Sequence, residues 1–262
     1  MSRTGAGPDM AISPSCSRGP MDGARGPTDP PVVVSIGGSV LVRGDNDARY
    51  ISDLAELLRQ LGRSTPMVVT TGGGRMAREY IRLGTDLGLT SVELDELAID
   101  VTRLHARLLA GRIGLPTASH PPLTIREAVE AVRHSSPVVL GGTEPGHTTD
   151  AVAALVAVRL RAARVVNATD VDGLYDADPR THANARRLST VGWPELLDLL
   201  HRASAGEPGQ NFPFDRLGAE TLARAAIPMA IVAGRDLVNL TRALRGEPFT
   251  GTAVGGQGGE RP

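Results

Sequence analysis

The chain has 262 residues, a formal net charge of −1 and 41% hydrophobic residues, enough for one large α/β domain once its low-complexity ends are set aside. The near-neutral charge gives no support for a nucleic-acid or acidic-membrane partner, and no apolar run approaches the roughly 20 residues that span a bilayer. A single cysteine, Cys16, excludes an internal disulfide framework and a cysteine-based zinc site.

Residues 1–30 are rich in glycine, proline, serine and arginine and read as a disordered tail. They contain no apolar signal core, so the expected location is cytoplasmic, and Met10 and Met21 are alternative starts. Order is expected over 31–254, with a second disordered tail over 255–262. Pro31-Val32-Val33-Val34-Ser35-Ile36 has the β-branched character of a buried parallel strand. Gly37 and Gly38 follow at once, as a tight turn or as a phosphate loop. Ile51, Leu54, Leu57, Leu58 and Leu61 then mark an amphipathic helix.

Met67 to Thr70 is a second strand, and it runs into Thr71-Gly72-Gly73-Gly74. The helix beyond spans Arg75 to Leu87 and carries Arg78 one turn in. Three glycines between strand and helix leave backbone N–H groups free to meet an anion, and Arg78 is either a surface cation or a phosphate fork. Leu94 to Leu109 is a long helix with Leu94, Leu97, Val101, Leu104 and Leu108 as its apolar stripe. Asp95 in its first turn either answers the helix dipole or accepts from a ligand's hydroxyl or imide N–H.

Thr124 or a neighbour opens a short helix through Val132. The strand Pro137 to Leu140 then leads into Gly141-Gly142-Thr143-Glu144-Pro145-Gly146-His147-Thr148-Thr149-Asp150, and an apolar helix runs to Leu160. In open α/β sheets, ligands bind at such junctions of strand end and helix start. The glycines let backbone N–H groups approach a ligand, and Thr148 or Thr149 caps the helix or donates to a phosphate.

Val165 to Asn167 is a further strand, followed by Ala168-Thr169-Asp170-Val171-Asp172-Gly173-Leu174-Tyr175-Asp176-Ala177-Asp178-Pro179. Its four aspartates do not fit a calcium loop, which needs a mid-loop glycine and a closing glutamate. A loop holding a base and ribose, with Tyr175 as a packing face, fits better. Helices at Trp193–Leu200, Asp215–Ala225 and Leu237–Leu244, a strand at Met229–Val232 and a closing edge segment at Phe249–Thr252 complete the chain. None of the six histidines has metal-ligand spacing, and His105, His120, His134, His182 and His201 are given no site role.

Strand, glycine-rich loop and helix therefore recur near residues 37, 72 and 141. Several cradles on one sheet edge suit two phosphorylated molecules held face to face, the arrangement of phosphoryl transfer. From about Val32 to Val254 the chain resembles the amino acid kinase family, and within it the UMP kinases of archaeal type. The resemblance rests on Ser35–Leu41, Thr71–Ile81, Gly141–Leu155, Asn167–Pro179 and the ending Leu244–Thr252. It implies a single three-layer αβα sandwich around a mainly parallel sheet, an ATP-dependent phosphotransferase acting on UMP, Mg²⁺ bridging the ATP phosphates, and a homohexamer.

It also implies residue roles. Gly37, Gly38, Gly74 and Arg78 would lie around the ATP phosphates and the transfer site. Thr169, Asp170, Tyr175 and Asp178 would hold ATP. Gly73, Asp95 and the run Thr143, Glu144, Pro145, Gly146, His147, Thr148 and Thr149 would hold UMP. Asp215 matches an aspartate that organises the catalytic centre.

One departure stands out. All 28 basic residues are arginine, and Glu220 occupies a place where the family usually keeps a lysine. Losing one transition-state donor costs on the order of a hundred- to a thousand-fold in rate. Either an arginine (Arg43, Arg78, Arg216 or Arg224) supplies the charge, or the chain binds nucleotide with altered chemistry. The unusual Phe212/Phe214 loop admits another small acceptor, and the missing lysine admits a non-catalytic nucleotide-binding oligomer.

Overall fold

The computed structural model describes residues 30–117, 119–177, 182, 184–204 and 213–256. The chain opens with β1 (Val32–Ile36), the single turn α1 (Gly38–Leu41), α2 (Asp47–Gly62), β2 (Met67–Thr71), α3 (Gly74–Asp86) and α4 (Ser91–Ile113). It continues through α5 (Ile125–Ala131), β3 (Val138–Leu140), α6 (Thr149–Leu160) and β4 (Arg164–Thr169). The two-residue strands β5 (Leu174–Tyr175), β6 (Arg187–Leu188) and β7 (Thr190–Val191) precede α7 (Trp193–Ser204) and α8 (Arg216–Ala225). The last elements are β8 (Met229–Ala233), α9 (Leu237–Arg245) and β9 (Thr252–Val254).

Seven strands form one sheet in the order β3-β2-β1-β4-β8-β9-β7. Neighbours from β3 to β8 are parallel, β9 is antiparallel to β8, and β7 runs parallel to β9. The strands β5 and β6 pair separately as a small antiparallel ribbon. Helices cover both faces, so β1 is buried throughout, apolar except for Ser35, and alternates which core it feeds. Val32, Val34 and Ile36 pack with Leu54 and Leu58 of α2 and Leu109 of α4, while Val33 packs with Val152 and Val156 of α6 and Leu222 of α8. The result is the expected three-layer αβα sandwich around a mainly parallel sheet.

The path of the chain reverses between β1 and β4. From β1 it steps outward to β2 and β3, then returns to β4 on the other flank. Such a switch leaves a crevice at the strands' carboxyl ends, where ligands bind in open α/β sheets. Here that crevice lies between Gly37, after β1, and Asp170, after β4.

Three expectations are corrected. The Phe249–Thr252 segment is not an edge: β9 lies between β8 and β7. Its three-residue length hid this, because sheet position is decided by remote pairing. The α4 stripe is misphased in its second half: Val101 is buried as expected, but Leu104 and Leu108 are 54% and 50% exposed. The buried line runs through Ile99, Thr102, His105, Ala106, Leu109 and Ile113, while Leu94 and Leu97 pack over Gly84 of α3. Finally, α4 is longer than Leu94–Leu109, because a capping box at Thr90 and Glu93 starts it earlier and Gly114, at φ 83°, ends it.

Candidate active site

The first two glycine loops touch. A Cβ on Gly38 would stand 2.2 Å from the Gly74 nitrogen and 2.5 Å from the Gly72 oxygen. Gly74 adopts φ 58°, a left-handed conformation that glycine enters at little cost. The Gly72 N–H donates to the Ile36 carbonyl at 2.8 Å, and the Gly37 N–H donates to the Ala168 carbonyl at 2.9 Å. Gly38, Gly72 and Gly74 are thus required first for backbone-on-backbone packing. The N–H groups of Gly73 and Gly74, at the start of α3, make no hydrogen bond among the described residues. Arg78, one turn into α3, reaches back with Nη2 3.4 Å from Ser39 Oγ.

Helix α4 braces both this cradle and the 141–150 loop. The Thr71 hydroxyl donates to the Thr102 carbonyl at 2.9 Å, and His105 Nδ1 lies 2.7 Å from the Gly72 carbonyl oxygen. On the other side, Thr102 Oγ1 accepts from the Gly142 N–H at 2.7 Å. Arg103 donates to the Gly142 and Thr143 carbonyls, both at 3.2 Å. Asp95 Oδ2 accepts from the Gly146 N–H at 2.8 Å. Asp95 therefore holds the loop as well as facing the cleft. The sequence does not mark Thr102 or Arg103, and His105, given no site role there, braces the Gly72 loop. The signal of Thr102 and His105 is a polar pair on the buried face of α4, masked by the exposed leucines.

Between α3, α4 and the loop lies a cavity of about 350 Å³. Its rim includes Gly73, Asp95, Gly146, His147, Thr148 and Thr149, and its floor is apolar, built by Ala77, Ile81, Ala98 and Ile99. The remaining residues expected to hold the acceptor sit off the cavity. Thr143 offers its carbonyl to Arg103, Glu144 Oε1 lies 3.0 Å from His147 Nδ1, and Pro145 is exposed.

At the base of the cleft, two helix starts meet the end of β1. Thr148 caps α6 by accepting from the Ala151 N–H at 3.1 Å, and its hydroxyl donates to Asp215. Asp215 in turn caps α8, accepting from the Gly218 N–H at 2.9 Å. Asp150, beside it, accepts from the Ser35 hydroxyl at 2.6 Å. Burial and the nearby Asp215 charge push the Asp150 carboxyl up to about 7, against the pull of the Ser35 hydrogen bond. Asp215 was expected here. Ser35 and Asp150 were not singled out, because a strand serine and a helix-start aspartate each have an ordinary structural reading.

Across the switch, Thr169 ends β4 with its hydroxyl donating to Asp170 Oδ1 at 3.2 Å. Asp170 itself is exposed. Tyr175 lies in β5 and donates its hydroxyl to Asp172 Oδ1 at 2.8 Å; Asp172 Oδ2 also takes Arg187 at 2.9 Å. Asp178 lies outside the described residues, as do residues 210–212. Phe214 is 3% exposed and packs over Gly218, so it belongs to the core beneath α8 and not to the cavity.

Of the four arginines expected to replace a lysine, Arg78 alone bonds a glycine loop. Arg43 is 3.7 Å from Asp45, Arg216 pairs with Glu220 at 2.7 Å, and Arg224 donates to the Glu220 carbonyl. Glu220 is therefore neutralised within its own helix and places no bare charge on the cleft.

Glycine loops clasped at a topological switch, with helix starts aimed into the crevice and an adjoining cavity, suit a transferase of phosphoryl groups built on an open α/β sheet. The sequence profile of the amino acid kinase family matches residues 30–238, and the chain belongs to that family. It is 40% identical over 225 residues to a uridylate kinase of Thermoplasma volcanium, covering 85% of this chain and 96% of the relative. A uridylate kinase of Methanococcoides burtonii is 37% identical over 229 residues, with 86% and 97% covered. The crystal structure of a uridylate kinase from Archaeoglobus fulgidus superposes with a TM-score of 0.75 at 35% identity, covering 86% of this chain and 99% of that one.

Proposed function

We propose that this kinase transfers the γ-phosphoryl group of ATP to UMP, giving ADP and UDP. The observation that carries the reading is the cavity beside the glycine loops, rimmed by Gly73, Asp95 and Gly146 to Thr149. The uridylate kinase relatives support UMP as its occupant. In the reaction, a UMP phosphate oxygen forms a bond to the γ-phosphorus as the bond to the β–γ bridging oxygen breaks. The attacking oxygen is already anionic, so no general base is needed, and His147 acts in binding. Catalysis then consists of alignment and charge neutralisation.

The residues divide by position. Gly37, Gly38, Gly74 and Arg78 serve the ATP phosphates and the transferred group, and Thr169, Asp170, Tyr175 and Asp178 serve the ATP base and ribose. Gly73, Asp95 and Gly146 to Thr149 serve UMP, while Thr143, Glu144 and Pro145 shape the loop that carries them. Asp215 organises the centre through its bonds to Thr148 and Gly218. Among the described residues no group of three or more His, Cys, Asp or Glu side chains forms a metal cage. A Mg²⁺ ion brought in with ATP would offset the charge of the β- and γ-phosphates. The active species is a homo-oligomer, a hexamer by family likeness, and it works in the cytoplasm. An apolar stripe of Met76, Tyr80, Leu83 and Leu87 along α3 supports an interface.

The test is coupled ADP release from Mg-ATP, with and without UMP, and with CMP and dTMP in parallel. Strong UMP-dependent turnover is expected. Turnover unaffected by any pyrimidine monophosphate sinks the reading.

A further inference from the structure

We infer that His105 is a positioning residue for the anion-binding peptide between Gly72 and Gly73. This rests on the proposed reading that the cavity takes a phosphorylated acceptor. His105 lies on the inner face of α4 and is 3% exposed. Its Nδ1 is 2.7 Å from the Gly72 carbonyl oxygen. A carbonyl oxygen only accepts, so the ring proton sits on Nδ1. The other nitrogen, Nε2, is buried with no partner among the described residues. A buried imidazole with one nitrogen unsatisfied is costly, and the hydrogen bond on the other nitrogen is where that cost is recovered.

The peptide unit converts this bond into a direction. In a planar trans peptide the C=O and the following N–H point opposite ways. With the Gly72 carbonyl turned toward the His105 ring, the Gly73 N–H points away from that ring. That N–H makes no hydrogen bond among the described residues, and Gly73 lines the cavity. No side chain stands on either glycine to fix the plane, and glycine rotates more freely than any other residue. The Gly72 N–H bond to Ile36 secures one end of the segment, and the Ala77 N–H bond to the Gly73 carbonyl secures the other. His105 is the side chain that holds the peptide between them. A neighbouring residue on the same helix, Thr102, does the matching work for the opposite loop through the Gly142 N–H.

The experiment compares His105→Leu, His105→Asn and Ile113→Ala in the full chain. Leucine fills the space without a donor. Asparagine places an amide nitrogen where Nδ1 stood and removes the unsatisfied Nε2. Ile113→Ala, at the far end of α4, reproduces general destabilisation of the helix. His105→Leu is expected to raise the KM and the calorimetric Kd for UMP about tenfold, the usual weight of one buried hydrogen bond's loss. KM for ATP should stay within about twofold, His105→Asn should restore UMP affinity, and Ile113→Ala should lower Tm without changing KM. Unchanged UMP affinity in His105→Leu overturns the proposal, as does failure of asparagine to rescue, or an equal effect of Ile113→Ala. Ring-nitrogen NMR of the wild type gives a readout independent of turnover. A proton found on Nε2 overturns the positioning role even in an active enzyme. A proton on Nδ1 in a protein that neither binds nor phosphorylates UMP instead overturns the acceptor assignment.

Discussion

Asp150 shows how a single proton can be traced from geometry to stability. Its carboxyl is embedded between α6, α8 and the end of β1, with Ser35 donating to it and Asp215 beside it. Its affinity for a proton is raised by folding, from a value of 3.8 to about 7. The folded state therefore binds more protons than the unfolded chain within that window. The resulting stabilisation is complete below the lower value and is lost as pH rises through the upper one. Asp150→Asn keeps an acceptor for Ser35 but cannot titrate. Between about pH 5 and pH 8, wild-type stability should fall relative to the variant, measured as the difference in their urea midpoints. Midpoints that shift in parallel would remove Asp150 as the source.

The clasp between the two glycine loops is a property of paired elements. Gly38 faces backbone atoms of Gly72 to Gly74, which cannot swing aside as a side-chain tip would. Gly38→Ala should therefore cost at least about 2 kcal/mol and abolish ADP release, because the loops must separate. Gly88 provides the contrast. It adopts φ 78°, but an added methyl group there would meet nothing within 4 Å, so Gly88→Ala should cost only about 1 kcal/mol of backbone strain. Thermal melts of the two variants decide the point; equal losses would mean that the φ angle, and not the contact, governs both sites. The same pair of elements shows what the sequence could tell. The apolar runs of β1, β2 and β3 and the glycines after them were legible, because each signal is local. The braces from α4 were not. Leu104 and Leu108 drew the apolar stripe to the wrong face, and nothing local says that Thr102 and His105 turn inward to meet loops remote in sequence. The strands β6 and β7 were missed for a related reason, since two residues carry no periodicity.

The whole molecule leaves an unusual face to water. Met76, Tyr80, Leu83 and Leu87 follow helical spacing along α3 and are 39%, 48%, 50% and 79% exposed. A contiguous row of this kind marks a contact surface more often than a solvated one. Sedimentation velocity of the wild type should show a homo-oligomer, and Leu87→Arg should shift it to smaller species while leaving the monomer's Tm within a few degrees. A wild type that sediments as a monomer would show that the row is not a subunit contact.

The clasp of Gly38 on Gly72 to Gly74 also bears on motion during turnover. Two loops in backbone contact, pinned from below by His105, form one stiff floor, and neither can open without the other. The opposite wall is built differently: Glu144, Pro145 and Gly146 are exposed, and Gly146 has open space around it. The room for a nucleotide to pass therefore lies at the exposed tip 144–146, which α4 holds through the Gly146 N–H bond to Asp95, and not in the clasped glycine loops.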